Sequence, residues 1–166
     1  MAEKNNRRHN LGMLALFIIV CELAGVIGSI FTIQSIPTWY ASLIKPPFSP
    51  PNWLFAPVWT LLYALMGIAA FLIWEKKRGA QKQSATAALN MFGAQLVLNV
   101  LWSVLFFGLR SPLLGVLSII PLFLTIALAM RQFHPIDKRA FWLMVPYILW
   151  VGFASLLNLS IFALNP

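Results

Sequence analysis

Five long apolar stretches, separated by short polar segments, divide the chain. Each is close to the roughly 20 residues that an α-helix needs to cross the hydrocarbon core of a bilayer. None shows the alternation of apolar and polar positions that is typical of a membrane β-strand, so helices must satisfy the backbone in lipid. The pattern predicts an all-α membrane protein with one domain, a bundle of five transmembrane helices over residues 11–33, 57–74, 84–109, 112–130 and 140–164.

The connections between these stretches differ in length. Residues 75–83 and 131–139 form short charged turns, and residues 110–112 form a tight one, so sequential helices should be antiparallel neighbours. Residues 34–56, here named the first loop, are a far longer connection that with Pro57 holds six of the eleven prolines. No internal repeat favours an inverted-repeat transporter.

The first loop is predicted to be ordered, because it is rich in aromatic and aliphatic side chains. A short helix is predicted before its proline cluster, with Ser35 as the cap. In that helix Trp39 pairs with Leu43 at i, i+4 spacing. Tyr40 pairs in the same way with Ile44, which gives the helix one apolar face. Prolines lower the entropy lost on ordering, so the loop is predicted to lie as a rigid lid across the mouth of the bundle.

Composition excludes a soluble globule, since 60% of the residues are hydrophobic and 10% are charged, against about 25% charged in an ordinary soluble domain. The net charge of +8 lies mostly at one end of the bundle. The positive-inside rule then predicts a cytoplasmic N-terminus, with the first loop and the C-terminus outside. Topology explains these charges better than recognition of nucleic acid or anionic lipid. The cytoplasmic cations are Lys4, Arg7, Arg8, Lys76, Lys77, Arg78, Lys82, Arg131, Lys138 and Arg139, and those on the other side are Lys45 and Arg110.

The first apolar stretch is interpreted as a membrane span and not as a cleaved signal peptide. It is too long for that role, and no small-residue cleavage site follows it. The single Cys21 lies inside this span, so no intramolecular disulfide is expected.

Polar and aromatic side chains recur on single faces of three predicted helices. Polar groups are costly in hydrocarbon, so these faces should point into the bundle. Tryptophan and tyrosine with a few amides and hydroxyls are typical of a site for a flat, mostly apolar ligand. The alternative is that the polar groups only join helices by hydrogen bonds worth about 1 kcal/mol or less each. The faces are Trp59, Tyr63, Met66 and Ala70 on the second helix, Gln95, Asn99, Trp102 and Ser103 on the third, and Tyr147, Trp150, Ala154 and Asn158 on the fifth.

Glu22 lies alone near the centre of the first helix. An intramembrane carboxyl group is a functional candidate by default, here as a proton or cation site like that of small drug exporters. The alternative is a neutral glutamic acid hydrogen-bonded to a neighbouring helix, and both interpretations stay open. Cys21, Gly25 and Ser29 form a ladder of small residues beside it, which indicates close helix packing or dimerisation.

No residue pattern predicts a metal site or covalent catalysis. His9 and His134 lie in charged segments without spaced partners. The sequence has no set of nucleophile, base and orienting group, and no glycine-rich phosphate loop. No cofactor is therefore predicted to be required.

Three stretches resemble one known family: "WYASLIKPPFSPPNWLFAPVWTLLYALMG", "QLVLNVLWSVLFFGLRSP" and "VPYILWVGFASLLNLSIFALN". They are similar to the tryptophan-rich sensory protein and translocator protein family, also called the peripheral benzodiazepine receptor family. The resemblance covers residues 11–165. It implies a five-helix membrane protein, commonly a homodimer, that binds porphyrins and haem beneath the first loop, and in some members cholesterol and isoquinolines.

The resemblance also implies particular site residues. Trp59 and Trp150 match the tryptophans linked in the family to porphyrin binding and, in some bacterial members, to light-dependent porphyrin breakdown. Asn99, Trp102 and Ala154 match other pocket positions. The predicted ligand site is completed by Trp39, Pro46, Trp53, Tyr63 and Tyr147. The C-terminal segment lacks the tyrosine and basic residue of the animal cholesterol motif, which argues against sterol recognition by that route and favours a prokaryotic cell membrane.

Three functions follow from these observations. The first is a membrane receptor or sensor for tetrapyrroles such as protoporphyrin IX and haem. The second is an enzyme that degrades porphyrin in light, with Trp59 and Trp150 as electron donors. The third is a permease or exporter of small hydrophobic molecules that uses Glu22, and it ranks last because the chain has no repeat and one buried carboxyl group.

Overall fold

The computed structural model describes residues 2–165, with the side chains of residues 9–77 and 79–165. This part of the chain is all-α, without a strand. Five of its helices are long and apolar enough to cross a membrane, which confirms the predicted fold. They are α1 (Ala2–Ser35), α2 (Phe55–Glu75), α3 (Lys82–Ser103), α4 (Pro112–Phe133) and α5 (Lys138–Leu164).

The helices extend beyond several of the apolar stretches that predicted them. Hydropathy marks the part of a helix that lies in lipid, whereas charged residues on either side continue the same helix at little cost. α1 therefore begins at Ala2 and α5 at Lys138. The side chains of Lys4, Arg7, Arg8 and Arg78, on which the charge argument partly rests, lie outside the described residues.

α1 lies against α2 and α3, while α5 lies against α2 and α4, and α3 lies against α4. The end of the bundle with the turns 75–83 and 131–139 is named the charged end, and the opposite end is named the loop end. α1 and α2 approach each other closely at Gly67, where a Cβ atom would lie 2.6 Å from the Cα of Ile18. Only glycine permits this approach of two backbones.

At the charged end, Asp137 fixes the start of α5. Its carboxylate accepts a hydrogen bond from the Arg139 backbone N–H at 2.9 Å and another from the Arg139 side chain at 2.8 Å. The Lys76 ammonium group lies 3.9 Å away. The hydrogen bonds from the Arg139 side chain hold the pKa of the Asp137 carboxyl below its usual value. This ionic contact joins the start of the turn 75–83 to the end of the turn 131–139.

α1 and α3 each continue into a π-helical turn at the loop end, Ile36–Tyr40 and Val104–Gly108. The two turns are joined by Ser35, whose Oγ donates a hydrogen bond to the carbonyl oxygen of Phe107 at 2.7 Å. The buried ring of Tyr40 packs on Phe107 with 5.8 Å between ring centroids. π-helical turns within α-helices are frequent at functional sites.

The separate short helix predicted before the prolines is wrong in two respects. Ser35 does not cap a new helix, because α1 runs on through the π-helical turn and the Ser35 hydroxyl bonds to α3 instead. Tyr40 is buried but Ile44 is 61% exposed, so these two do not share an apolar face. A π-helical turn holds more residues than an α-helical one and rotates the following side chains out of i, i+4 alignment.

The rest of the first loop is ordered and lies across the loop end. Its backbone is held by Asn165, which accepts a hydrogen bond from the Ile44 N–H at 3.0 Å and donates one to the Ile44 carbonyl at 2.9 Å. Phe48 packs on Phe153 of α5 with 6.3 Å between ring centroids. The loop is thus attached to both α3 and α5, as a lid over the bundle requires.

Candidate ligand-binding site

A chain of hydrogen bonds crosses the core between α2, α3 and α5. The Tyr63 hydroxyl donates to Asn99 Oδ1. Asn99 Nδ2 donates to the Tyr147 hydroxyl at 3.0 Å, and that hydroxyl donates to Gln95 Oε1 at 2.8 Å. All four side chains are buried. The bond to Asn99 fixes the position of the Tyr63 hydroxyl and so the direction in which this side chain leaves α2.

A cavity of about 360 Å³ lies beside this chain, between α1, α2 and α3. Its inner wall is aromatic. Trp59 stacks on Tyr63 with 5.5 Å between ring centroids and lies 6.4 Å from Trp102. Phe55 from the start of α2 and Phe107 from the π-helical turn of α3 extend the wall to the loop end. The volume falls within the range of about 300–1,000 Å³ that is usual for small-molecule sites.

The opposite wall belongs to α1 and carries small and polar side chains. They share one side of the helix from its middle to its π-helical turn: Glu22, Gly25, Gly28, Ser29, Thr32 and Ile36. A Cβ atom on Gly25 would lie 2.4 Å from the Tyr63 ring, so glycine is needed for that ring to occupy its position. The predicted ladder of small residues therefore serves packing within the chain at Gly25.

The cavity is open on one side, between α1 and α2. The residues that line this opening are also exposed on the outer surface of the bundle, namely Val26 and Ile33 of α1 and Ala56 and Thr60 of α2. In a membrane this surface faces lipid, so an apolar ligand can enter from the bilayer without crossing water.

The structure brings four of the predicted functional residues to the cavity. Trp59, Tyr63 and Trp102 line its aromatic wall, and Glu22 lines the α1 wall. Grouping Glu22 with the tryptophans was not predicted, because the sequence does not show which side of α1 faces α2. Asn99 and Tyr147 do not line the cavity, but they hold Tyr63 through the hydrogen bonds described above.

Besides Asn99 and Tyr147, five further predicted site residues do not line this cavity. Trp39 packs on Phe106 with 5.3 Å between ring centroids, and Trp150 packs on Phe55 and Phe153. Pro46 is buried within the first loop, and Trp53 is 72% exposed. The fifth, Ala154, is partly buried on α5.

The sequence argument missed several residues that line the cavity. Nothing in the sequence distinguished Phe55 and Phe107 from their aromatic neighbours, because Phe55 lies in an aromatic-rich segment of α2 and Phe107 in one of the π-helical turn after α3. Thr32 lies three and ten residues beyond Ser29 and Glu22 on the same side of α1, so extending the ladder by helical periodicity would have found it.

The fold and the cavity define a small integral membrane protein whose five helices enclose an aromatic-walled ligand site. A sequence model of the TspO/MBR family matches residues 17–164, and the chain belongs to this family. It is 45% identical over 156 residues to the tryptophan-rich protein TspO of Archaeoglobus fulgidus, covering 94% of this chain and 99% of that one.

Bacterial and animal relatives match over similar lengths. The tryptophan-rich sensory protein of Cereibacter sphaeroides is 34% identical over 151 residues, which cover 91% of this chain and 92% of the relative. The translocator protein of Bos taurus is 37% identical over 145 residues, which cover 86% of this chain and 83% of the relative. These matches confirm the predicted family.

Proposed function

We propose that this protein is a membrane receptor for porphyrin-type tetrapyrroles, which bind against the aromatic wall of the cavity. The observation that carries the proposal is the arrangement of Trp59, Tyr63 and Trp102 as neighbouring rings on one wall of a cavity that opens towards lipid. A planar macrocycle gains most from stacking on such rings, at about 1–3 kcal/mol per aromatic side chain for the comparable stacking of nucleic-acid bases. The names of the relatives, a sensory protein and a translocator protein, agree with a ligand-binding role.

Polar groups near the cavity suggest how a tetrapyrrole is oriented. Glu22 lies at one end of the cavity, so the propionate groups of a porphyrin would point away from it, towards Asn52 at the loop end. The Trp102 indole N–H makes no hydrogen bond to any described residue, and an acceptor on the ligand would satisfy it. No histidine, cysteine or methionine among the described residues lines the cavity, and the hydroxyl of Tyr63 is already bonded to Asn99. A metal-free porphyrin therefore suits the cavity better than haem, which needs an axial ligand.

The geometry favours binding over photochemistry. A light-dependent enzyme of the expected kind would place both Trp59 and Trp150 at the porphyrin. Trp59 lines the cavity, whereas Trp150 contacts Phe55 and is not part of the wall. We therefore assign Trp59 to ligand binding and leave Trp150 in a supporting position.

The proposal is tested by titrating protoporphyrin IX into the purified protein in nanodiscs and following the porphyrin absorbance band. Trp59→Leu and Trp102→Leu should each weaken binding about tenfold or more, the loss of roughly 1.4 kcal/mol or more. Trp142→Leu is the matched control, because Trp142 is 66% exposed near the charged end of α5. Trp59→Phe keeps an aromatic ring at this position, so it is the variant to compare if Trp59→Leu misfolds. Equal affinity in wild type and Trp59→Leu would refute the proposal.

We also propose that the charged end faces the cytoplasm and the loop end faces outward, in a prokaryotic cell membrane. Lys76, Lys82 and Arg131 lie in or beside the turns of the charged end, whereas Arg110 lies at the loop end. A membrane-impermeant maleimide should label a cysteine introduced at Ser111 in intact cells. Labelling that requires lysis would reverse the orientation.

A further inference from the structure

Glu22 has no partner among the side chains that the structure describes. None of the described side chains forms a hydrogen bond or an ion pair with its carboxyl group, although it lies in the middle of a membrane-spanning helix. Charged groups at this depth are normally paired or solvated, because an isolated ion is costly in hydrocarbon. Glu22 lines the cavity, so a partner that the protein lacks can be supplied by a ligand.

The α1 wall beside Glu22 offers hydrogen-bond acceptors and no free donors. The Ser29 hydroxyl donates to the carbonyl oxygen of Val26 at 2.7 Å. The Thr32 hydroxyl donates in the same way to the carbonyl of Gly28 at 3.1 Å. Each hydroxyl has thereby used its one hydrogen and keeps lone pairs for the cavity. Oxygen lone pairs along a wall attract a group that carries positive charge or hydrogens to donate.

The facing wall adds the rings of Trp59, Tyr63 and Trp102. The faces of such rings carry negative charge density and attract organic cations, above all when water is excluded. No lysine, arginine or histidine among the described residues lines the cavity. Lys45, which is close to the loop end, is held over the Tyr40 ring at 4.9 Å. An acidic group, acceptor oxygens and aromatic faces without a cation form a site for an ammonium group.

From this arrangement we infer that the cavity binds lipophilic amines and quaternary ammonium compounds, with Glu22 as the counter-ion. The inference rests on the proposed function only in taking this cavity as the ligand site. Glu22 and Ile36 mark the two ends of the α1 wall. They lie 14 residues apart, a distance of about 21 Å along a helix at 1.5 Å per residue. The ammonium group binds at Glu22, and the apolar body of the ligand extends along the aromatic wall towards the loop end.

The inference is tested with two probes of the same shape. Both carry a dansyl group on an alkyl chain, which ends in trimethylammonium in one probe and in uncharged tert-butyl in the other. Energy transfer from tryptophan to dansyl reports binding to the protein in nanodiscs of zwitterionic lipid. The ratio of the two dissociation constants is measured for the wild type, Glu22→Gln, Glu22→Asp and Glu75→Gln. Partitioning into lipid affects all four proteins equally, so it cancels when their ratios are compared.

The preference for the cation should be at least tenfold greater in the wild type than in Glu22→Gln. Glu22→Asp should keep part of the preference, because it keeps the charge. Glu75→Gln should behave as the wild type, because Glu75 ends α2 at the charged end and accepts a hydrogen bond from Asn10 outside the cavity. Equal ratios in the wild type and a folded Glu22→Gln would overturn the inference. If Glu22→Gln does not fold, a wild-type ratio near one would overturn it instead.

Failure of this inference is separable from failure of the proposed function. Protoporphyrin IX dimethyl ester has no free carboxylate, so Glu22→Gln should bind it as the wild type does. A protein that prefers the cation but does not bind the ester would refute the tetrapyrrole proposal alone. A protein that binds the ester through Trp59 without any preference for the cation would refute the role of Glu22 alone.

Discussion

The hydrogen bonds between Tyr63, Asn99 and Tyr147 give a prediction that tests how the cavity wall is held. Asn99→Leu keeps the approximate volume of the side chain but removes both of its hydrogen bonds. The Tyr63 hydroxyl is then left without an acceptor in a residue that is 5% exposed. Hydrogen bonds between membrane helices average about 0.6 kcal/mol and reach about 1.7, and a stranded buried donor costs about 1–3. The expected loss of stability is about 1–3 kcal/mol.

Tyr63→Phe removes the other partner of the same bond. It leaves Asn99 Oδ1 without its donor while Asn99 Nδ2 keeps its bond to Tyr147, so a loss of about 1 kcal/mol is expected. In the double variant no stranded Tyr63 hydroxyl remains. The combined loss should therefore be smaller than the sum of the single losses by about 1 kcal/mol.

The assay is reversible unfolding in mixed micelles with increasing denaturing detergent, followed by circular dichroism. Asn90→Leu is the matched control, because Asn90 is an exposed asparagine of the same helix, and its replacement should leave stability nearly unchanged. Losses for Tyr63→Phe and Asn99→Leu that add to within about 0.3 kcal/mol would show that the two side chains act independently. The hydrogen bond would then not be what holds the Tyr63 ring.

Three further outcomes are expected. Gly67→Ala should lower stability by about 1–3 kcal/mol, because the added methyl group overpacks against the α1 backbone. Gly93→Ala is the control and should not lower it, because the space at its Cβ is open. Equal melting temperatures of the two variants would contradict the close approach of α1 and α2. Asp137 has a folded-state pKa below its ordinary 3.8, so its contribution is complete above pH 3.8 and is lost as the pH falls towards the folded-state pKa. Melting temperature should therefore fall more steeply in the wild type than in Asp137→Asn as the pH is lowered below 3.8, and parallel curves would contradict this. Asn165→Ala should speed hydrogen exchange of the Ile44 amide in the first loop without changing that of α4, and unchanged exchange would show that the loop is held by other contacts.

Much of this protein is determined by its sequence alone. The five apolar stretches fix a helical membrane bundle, because no other element satisfies its own backbone in lipid at that length. The face of α3 that carries Gln95, Asn99 and Trp102 was predicted to point inward, and all three side chains are buried. Polar groups on a membrane helix have a low-energy position only inside the bundle, so helical periodicity was sufficient for this inference.

Other features were decided by contacts between segments far apart in the chain. The Ser35 hydroxyl was predicted to cap a new helix. Instead it donates its hydrogen bond to the carbonyl oxygen of Phe107, 72 residues away, and α1 continues past Ser35. Trp59 and Trp150 both lie on helix faces that the sequence predicted to point inward, and the sequence did not distinguish between them. Trp59 lines the cavity because it lies on α2, whereas Trp150 lies on α5, no residue of which lines the cavity, and packs on Phe55.

Glu22 shows most clearly where the sequence stops being sufficient. Its position in the first span marks it as costly to bury, and this much follows from hydropathy alone. Whether it faces lipid, another helix or a ligand depends on how α1 is rotated about its axis. That rotation is set by Gly67 against Ile18 and by Gly25 against Tyr63, contacts between two helices that neither helix specifies by itself. The sequence thus determined which side chains had to be sheltered, and the packing of helix on helix decided which of them share one cavity.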